Sequence, residues 1–198
     1  SIAVYGMGSG ENKGNAGSIT EDDFRSPETM YGCNKLYCEN LGIYFSNHYK
    51  RLSAESSAGL IDFRAIRFPG LISAVTRPTG GTTDYGPEMI HAAAQSQPYV
   101  CFVRETTSLP FMTMPDAIRA IVKLMDSPPD SLSRSVYHIM AFSAAALQFK
   151  EKILSYFPET EINFLVNDKR QSIVDSWPAE VDDSPARQDW GWKPKHDL

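Results

Sequence analysis

Cysteine is scarce in this sequence and shows no pairing pattern. Cys33, Cys38 and Cys101 are the only three, and none falls in a Cys-x-x-Cys spacing. That excludes a disulfide framework and a cysteine-built zinc site, and it reads as ordinary thiols in a reducing compartment. The four histidines, His48, His91, His138 and His196, are scattered, so no metal centre is expected. Basic charge is not in excess: 19 Lys and Arg stand against 24 Asp and Glu, a net charge of -5, with the signs interleaved. A nucleic-acid or anionic-membrane surface would need clustered Lys and Arg, so neither partner is expected. No apolar run approaches the ~20 residues of a membrane span, and "SIAVYG" at the start is not a basic segment leading into an apolar one. Internal repeats and low-complexity tracts are also lacking.

What remains is an ordinary globular composition. With 198 residues, 42% hydrophobic and 22% charged, the chain can bury one well-formed core. "SIAVYG" (1–6) and "LIDFRAIRF" (60–68) read as buried strands, "SIAVYG" starting as though in mid-strand. Between them the pattern predicts a long helix opened by Ser26 as N-cap with Pro27 at the first helical position, ending near Lys50 before "SAESSAG". Further helices are predicted over 85–95, from Pro115 to Met125, after Ser143 and after Asp183. Strands are predicted at "YVCFV", "SVYHIM" and "EINFLV". Strands alternating with helices imply a parallel sheet with crossover helices, an α/β fold.

Two segments invite chemistry. "IAVYGMGSGENKG" looks like a phosphate-cradling loop, but the third glycine of G-x-G-x-x-G would fall on Glu11, and the P-loop Gly-Lys pair is reversed as Lys13-Gly14. It reads instead as a flexible connection over the ligand side of the sheet. In "ETMYGCNKLYCEN", Tyr31 precedes Lys35 by four residues, one helical turn. A phenol, with an ordinary pKa of about 10, is a poor base at neutral pH unless a neighbouring cation stabilises its anion, and an ammonium one turn away can do so. Two unrelated residues one turn apart would look the same.

The order of "SIAVYG", "YGCNK" and "IRFPGLIS" resembles the second half of an extended short-chain dehydrogenase/reductase. "GGTTDY" (80–85), "LPFMTMPDAIRA" (109–120) and "DSWPAEVDDSPARQDWGW" (175–192) narrow the resemblance to the short-chain L-threonine 3-dehydrogenases. It covers the chain from end to end, with about ten extra residues around 51–59 relative to that family. The resemblance implies the C-terminal half of a Rossmann-like doubly wound parallel sheet plus a small α/β substrate-binding subdomain. Residues 1–75 and 133–142 would form the Rossmann-like portion, and 76–132 and 143–198 the substrate-binding portion. The first strand, glycine-rich pyrophosphate turn and ribose-binding acid of the family are not found in this sequence, so most NAD binding energy is expected to be missing from the chain alone.

The resemblance also implies roles. Tyr31 would be the proton acceptor, Lys35 would hold the nicotinamide ribose, and Ser1 would hydrogen-bond the reacting oxygen. Phe68, Pro69, Gly70 and Leu71 would approach the nicotinamide carboxamide, or form only a strand-ending turn. Thr82 and Thr83 could bind the substrate carboxylate, or one could cap the helix near Tyr85. Trp177 could wall the substrate pocket or be plain core, and Asp183 and Ser184 read as helix caps. The implied activity is NAD-dependent oxidation of L-threonine to 2-amino-3-oxobutanoate, in a homodimer of the cytoplasm or mitochondrial matrix. Alternatives are a nucleotide-sugar epimerase or dehydratase, and a non-catalytic remnant that associates through the long helix.

Overall fold

The computed structural model describes residues 1–8, 10–53 and 61–198; most of the expected insertion around 51–59, and Leu60, lie outside them. A 3-10 turn over Ile2–Val4 comes first. There follow α1 (Gly10–Asn15), β1 (Ser18–Ile19), α2 (Met30–Asn47), β2 (Ala65–Arg67), β3 (Gly70–Ile72) and α3 (Tyr85–Ala94). The second half contains β4 (Tyr99–Cys101), β5 (Ser108–Thr113), α4 (Met114–Met125), β6 (Val136–His138), β7 (Phe142–Ala145), α5 (Ala146–Tyr156), β8 (Ile162–Phe164), α6 (Asp168–Asp175), β9 (Glu180–Val181) and α7 (Ser184–Trp190).

Among the described residues, pairing is parallel for β1–β9, β2–β6, β3–β5 and β4–β8, and antiparallel for β5–β7. Parallel neighbours far apart in sequence require crossovers, and helices supply them, so the α/β expectation holds. The larger core gathers on Tyr85, Phe111 and Phe149, with ring centroids 4.9–6.3 Å apart in edge-on contacts. A second core lies under α4 and α7, around Met112, Tyr137, Ile139, Trp190 and Trp192.

Several local expectations are corrected. "SIAVYG" is a buried turn, not a strand: Ser1 Oγ accepts from the Ala3 amide at 3.3 Å and Tyr5 N donates to Ile2 O. An apolar run this short carries no period that separates the two states. Helix α2 is capped by Thr29, not Ser26. Thr29 is extended (φ -124, ψ 148), and its Oγ1 accepts from Gly32 N at 3.0 Å. Ser26 is committed elsewhere, its carbonyl lying so close to Gly6 that a Cβ there would come within 1.8 Å.

Ser143 opens no helix. It lies in β7 opposite Pro110, and its hydroxyl donates to Ala179 O at 2.6 Å. The glycine-rich segment expected to be a flexible connection contains α1, and buried Lys13 donates from Nζ to Val174 O at 3.0 Å. Asp183 does precede α7, but its carboxylate binds Arg187 and the Trp192 indole N–H rather than capping.

Candidate active site

Helix α2 lies against the Ser1 turn because Gly32 has no side chain; a Cβ there would fall 2.0 Å from Ala3 O. The approach brings the Tyr31–Lys35 face of α2 to the same cleft as Ser1. Lys35 Nζ sits 5.2 Å from the Tyr31 ring centroid, a fixed positive charge over a half-exposed phenol. The cleft, about 760 Å³, has Ile66, Phe68, Pro69 and Leu71 as its apolar floor. These residues belong to β2, to β3 and to the link after the C-terminal end of β2, where open parallel sheets take their ligands. The opposite wall is the Thr79–Asp84 loop, with Trp177 beside it.

Nine of the ten residues expected at the site line this cleft: Ser1, Tyr31, Lys35, Phe68, Pro69, Leu71, Thr82, Thr83 and Trp177. Gly70 does not. It is buried in β3 opposite Phe111, and a Cβ would come within 2.5 Å of that ring, so its bareness serves packing. Neither threonine caps α3. The residue before the helix is Asp84, which makes no side-chain cap and instead turns back to accept from Gly81 N at 2.7 Å and Thr79 N at 3.2 Å. Gly80 takes a positive φ of 88°, and its carbonyl accepts from Arg170 at 2.5 Å. The Arg170 guanidinium stacks 3.7 Å from the Phe102 centroid. Trp177 is both wall and core: it is buried, and its indole N–H finds no acceptor among the described residues.

Under the floor lies a polar network that the sequence reading missed. Arg67, 1% exposed, forks onto Glu39 of α2 through Nε (3.0 Å) and Nη2 (2.7 Å). Its Nη1 donates to the Tyr5 hydroxyl (2.5 Å) and to Glu21 O (2.6 Å). Tyr5 accepts from Arg67, so its one proton goes to His138 Nε2, a very short contact. His138 stands opposite Arg67 in register, and its Nδ1 donates to Asp182 O at 3.2 Å. The ring is thus neutral with its proton on Nδ1. Burial, then the Arg67 cation, push its pKa down to about 3. Glu21 closes the network, accepting from His138 N at 3.0 Å and Arg134 at 2.5 Å, and burial pushes its carboxyl upward. An arginine inside an apolar run gives little warning of this. A faint signal was available in Glu39, which continues the Tyr31–Lys35 stripe by one more turn.

This combination of a parallel sheet, a Tyr-x-x-x-Lys helix against a serine turn, and a cleft at the strand ends is that of a short-chain dehydrogenase-like nucleotide enzyme. The chain belongs to the NAD dependent epimerase/dehydratase family, whose model matches residues 1–139. It is 39% identical over 172 residues to the mitochondrial L-threonine 3-dehydrogenase of Bos taurus, covering 87% of this chain and 43% of that protein. It is 38% identical over 197 residues to an uncharacterized epimerase/dehydratase of Staphylococcus aureus, covering 99% of this chain and 57% of that one. The apo GalE-like L-threonine dehydrogenase of Cupriavidus necator superposes with a TM-score of 0.86 at 38% identity, over 100% of this chain and 66% of that structure. The chain therefore spans about half the length of the curated relatives it matches.

NAD is the family's cofactor, and the cleft fits one end of it. Ser1, Thr29, Tyr31 and Lys35 offer the hydroxyls and cation that a nicotinamide ribose needs, over a flat apolar floor suited to the ring. The glycine turn in the lining that leads into a helix, Gly81 before α3, has the Asp84 carboxylate on its amides, an anion where a pyrophosphate would need donors. No group of three or more His, Cys, Asp or Glu suited to a metal occurs among the described residues, and no helix among them is long and apolar enough to cross a membrane.

Proposed function

We propose that this chain carries the nicotinamide and substrate side of an NAD-dependent L-threonine 3-dehydrogenase, forming 2-amino-3-oxobutanoate. The observation that carries the proposal is one cleft lined by Ser1, Tyr31 and Lys35 on one wall and by Thr82, Thr83 and Asp84 on the other. Oxidising a secondary alcohol removes the hydroxyl proton while hydride leaves the same carbon. Bound NAD would supply the hydride acceptor. Tyr31, as the phenolate that the Lys35 ammonium stabilises, takes the hydroxyl proton and becomes the phenol, and Ser1 orients the alcohol oxygen. The zwitterionic substrate needs polar partners at both of its charges. Asp84 is the one carboxylate among the residues lining the cleft and so the natural seat for the ammonium, while the Thr82 and Thr83 hydroxyls suit the carboxylate.

The same charge pattern disfavours a nucleotide sugar, whose diphosphate calls for several cations where the cleft wall offers only Lys35. The test is NADH formation from threonine and NAD by the intact enzyme, alongside epimerisation of UDP-glucose. Threonine oxidation supports the proposal; interconversion of the sugar without it transfers the site to the epimerase reading. Inertness toward both would favour a non-catalytic protein.

A second experiment reads the substrate wall. Replacing Thr82 and Thr83 together by valine keeps their shape and removes two hydroxyls. We expect the threonine KM to rise about tenfold or more, with the NAD KM nearly unchanged. An unchanged threonine KM would remove these residues from the substrate site.

A further inference from the structure

The fully buried residues of α2 are few. Gly32 and Glu39 are buried, whereas Met30, Tyr31, Tyr37, Leu41 and Tyr44 are exposed. A helix with so little buried apolar surface is held in place by particular contacts, and two of them bracket Lys35: Gly32 against Ala3 O, and Glu39 on the Arg67 fork. Arg67 reaches further than the helix. Its Nη1 holds the Tyr5 hydroxyl, four residues from Ser1 along the same turn, and its own backbone is the last residue of β2 before Phe68 and Pro69 on the cleft floor.

We propose that Arg67 is the positioning residue of the site: by binding Glu39 and Tyr5 from the end of β2, it sets α2, the Ser1 turn and the cleft floor in one fixed relation, and so holds Tyr31 and Lys35 in register with Ser1. The inference rests on the reading of Tyr31 as proton acceptor. The geometry requires arginine in particular. Nε and Nη2 grip Glu39 side by side while Nη1 turns to the Tyr5 hydroxyl and the Glu21 carbonyl, and a lysine ammonium on its flexible stem cannot reproduce that planar spread. Displacing a proton acceptor by about 1 Å can cost on the order of 10² in rate.

The test compares Arg67→Lys, Glu39→Gln and Tyr31→Phe in the intact enzyme, with turnover counted per folded molecule and amide hydrogen exchange followed along α2. Arg67→Lys keeps the buried charge and loses the fork. We expect its kcat to fall 10- to 100-fold with KM values within about threefold of the parent, while exchange over residues 31–39 speeds up and the Tyr85–Phe149 core stays protected. Glu39→Gln keeps the shape and one acceptor and should shift both readouts in the same direction to a smaller extent, which preserves the test should the lysine variant fold poorly. Parent-like kcat in either folded variant, with only a lowered melting temperature, would make Arg67 a purely structural residue and overturn the proposal. Slower turnover without faster exchange in α2 would overturn it as well. If Tyr31→Phe keeps full turnover, the catalytic reading fails first. If Tyr31→Phe is inactive while Arg67→Lys is not, only the positioning role fails.

Discussion

Turnover should fall by about 10²- to 10⁴-fold when Tyr31 is replaced by phenylalanine, with NAD affinity lowered by no more than about the worth of one hydroxyl contact, a few-fold. The substitution deletes one oxygen and keeps the ring over which Lys35 sits at 5.2 Å. Tyr31 is 56% exposed, so little stability depends on its hydroxyl and the variant should melt within a degree or two of the parent. A drop in kcat without a matching loss of folded protein therefore isolates the proton transfer. The measurement is steady-state NADH formation paired with NAD titration by calorimetry. Equal turnover in the two proteins would remove Tyr31 from the chemistry.

Acid should destabilise this fold earlier than its carboxylates alone would dictate, because of His138. In the unfolded chain its imidazole titrates near an ordinary value of about 6.5. In the fold, burial and the neighbouring Arg67 hold it neutral until about pH 3. Between those values the unfolded state binds the extra proton, so stability rises with pH; His138's share is complete above about 6.5 and is lost progressively toward 3. The full span corresponds to about 5 kcal/mol. Glu21 works in the opposite direction over the start of its own range, since burial raises its pKa and protonation relieves a desolvated charge. The net slope should still be that of His138, whose shift is the larger. Thermal melts from pH 7 to pH 4 should show a steep fall for the parent. His138→Gln should start lower, having lost the Tyr5 contact, and depend less on pH. Parallel curves for the two proteins would show that His138 is not the titrating group.

The parts of the site that could be read from sequence were those with their own local signature. Tyr31 and Lys35 are one turn apart on a helix that the sequence foresaw, although α2 (Met30–Asn47) starts after the expected Pro27 and stops before the expected Lys50, and "GGTTDY" marked the facing loop. What escaped was set by tertiary partners. The cap of α3 was sought at Thr82 or Thr83, yet the residue before the helix is Asp84, and its carboxylate folds back onto Thr79 and Gly81 beside the positive-φ turn at Gly80. Arg67 alternates with apolar neighbours and could equally face solvent. Only the pairing of β2 with β6 and the approach of Glu39 bury it. The Ser1 turn was misread as a strand for a related reason: three apolar residues announce burial but not the backbone shape that achieves it. Parallel topology, in contrast, followed directly from the alternation of apolar runs and helical patterns.

The two walls of the cleft differ in how they are held. On the chemical wall, α2 is held by close backbone packing at Gly32 and by the buried fork on Glu39. The facing loop, by contrast, is secured by side-chain hydrogen bonds to its own backbone from Asp84 and Arg170. A swap of residues 79–84 would cost a few exposed hydrogen bonds and leave the proton-handling machinery where it is. On the proposed reading of this loop as the substrate wall, selection can exchange the substrate of such a scaffold by rewriting six residues, and a protein engineer seeking a new amino-alcohol specificity should mutate that loop and leave the helix alone.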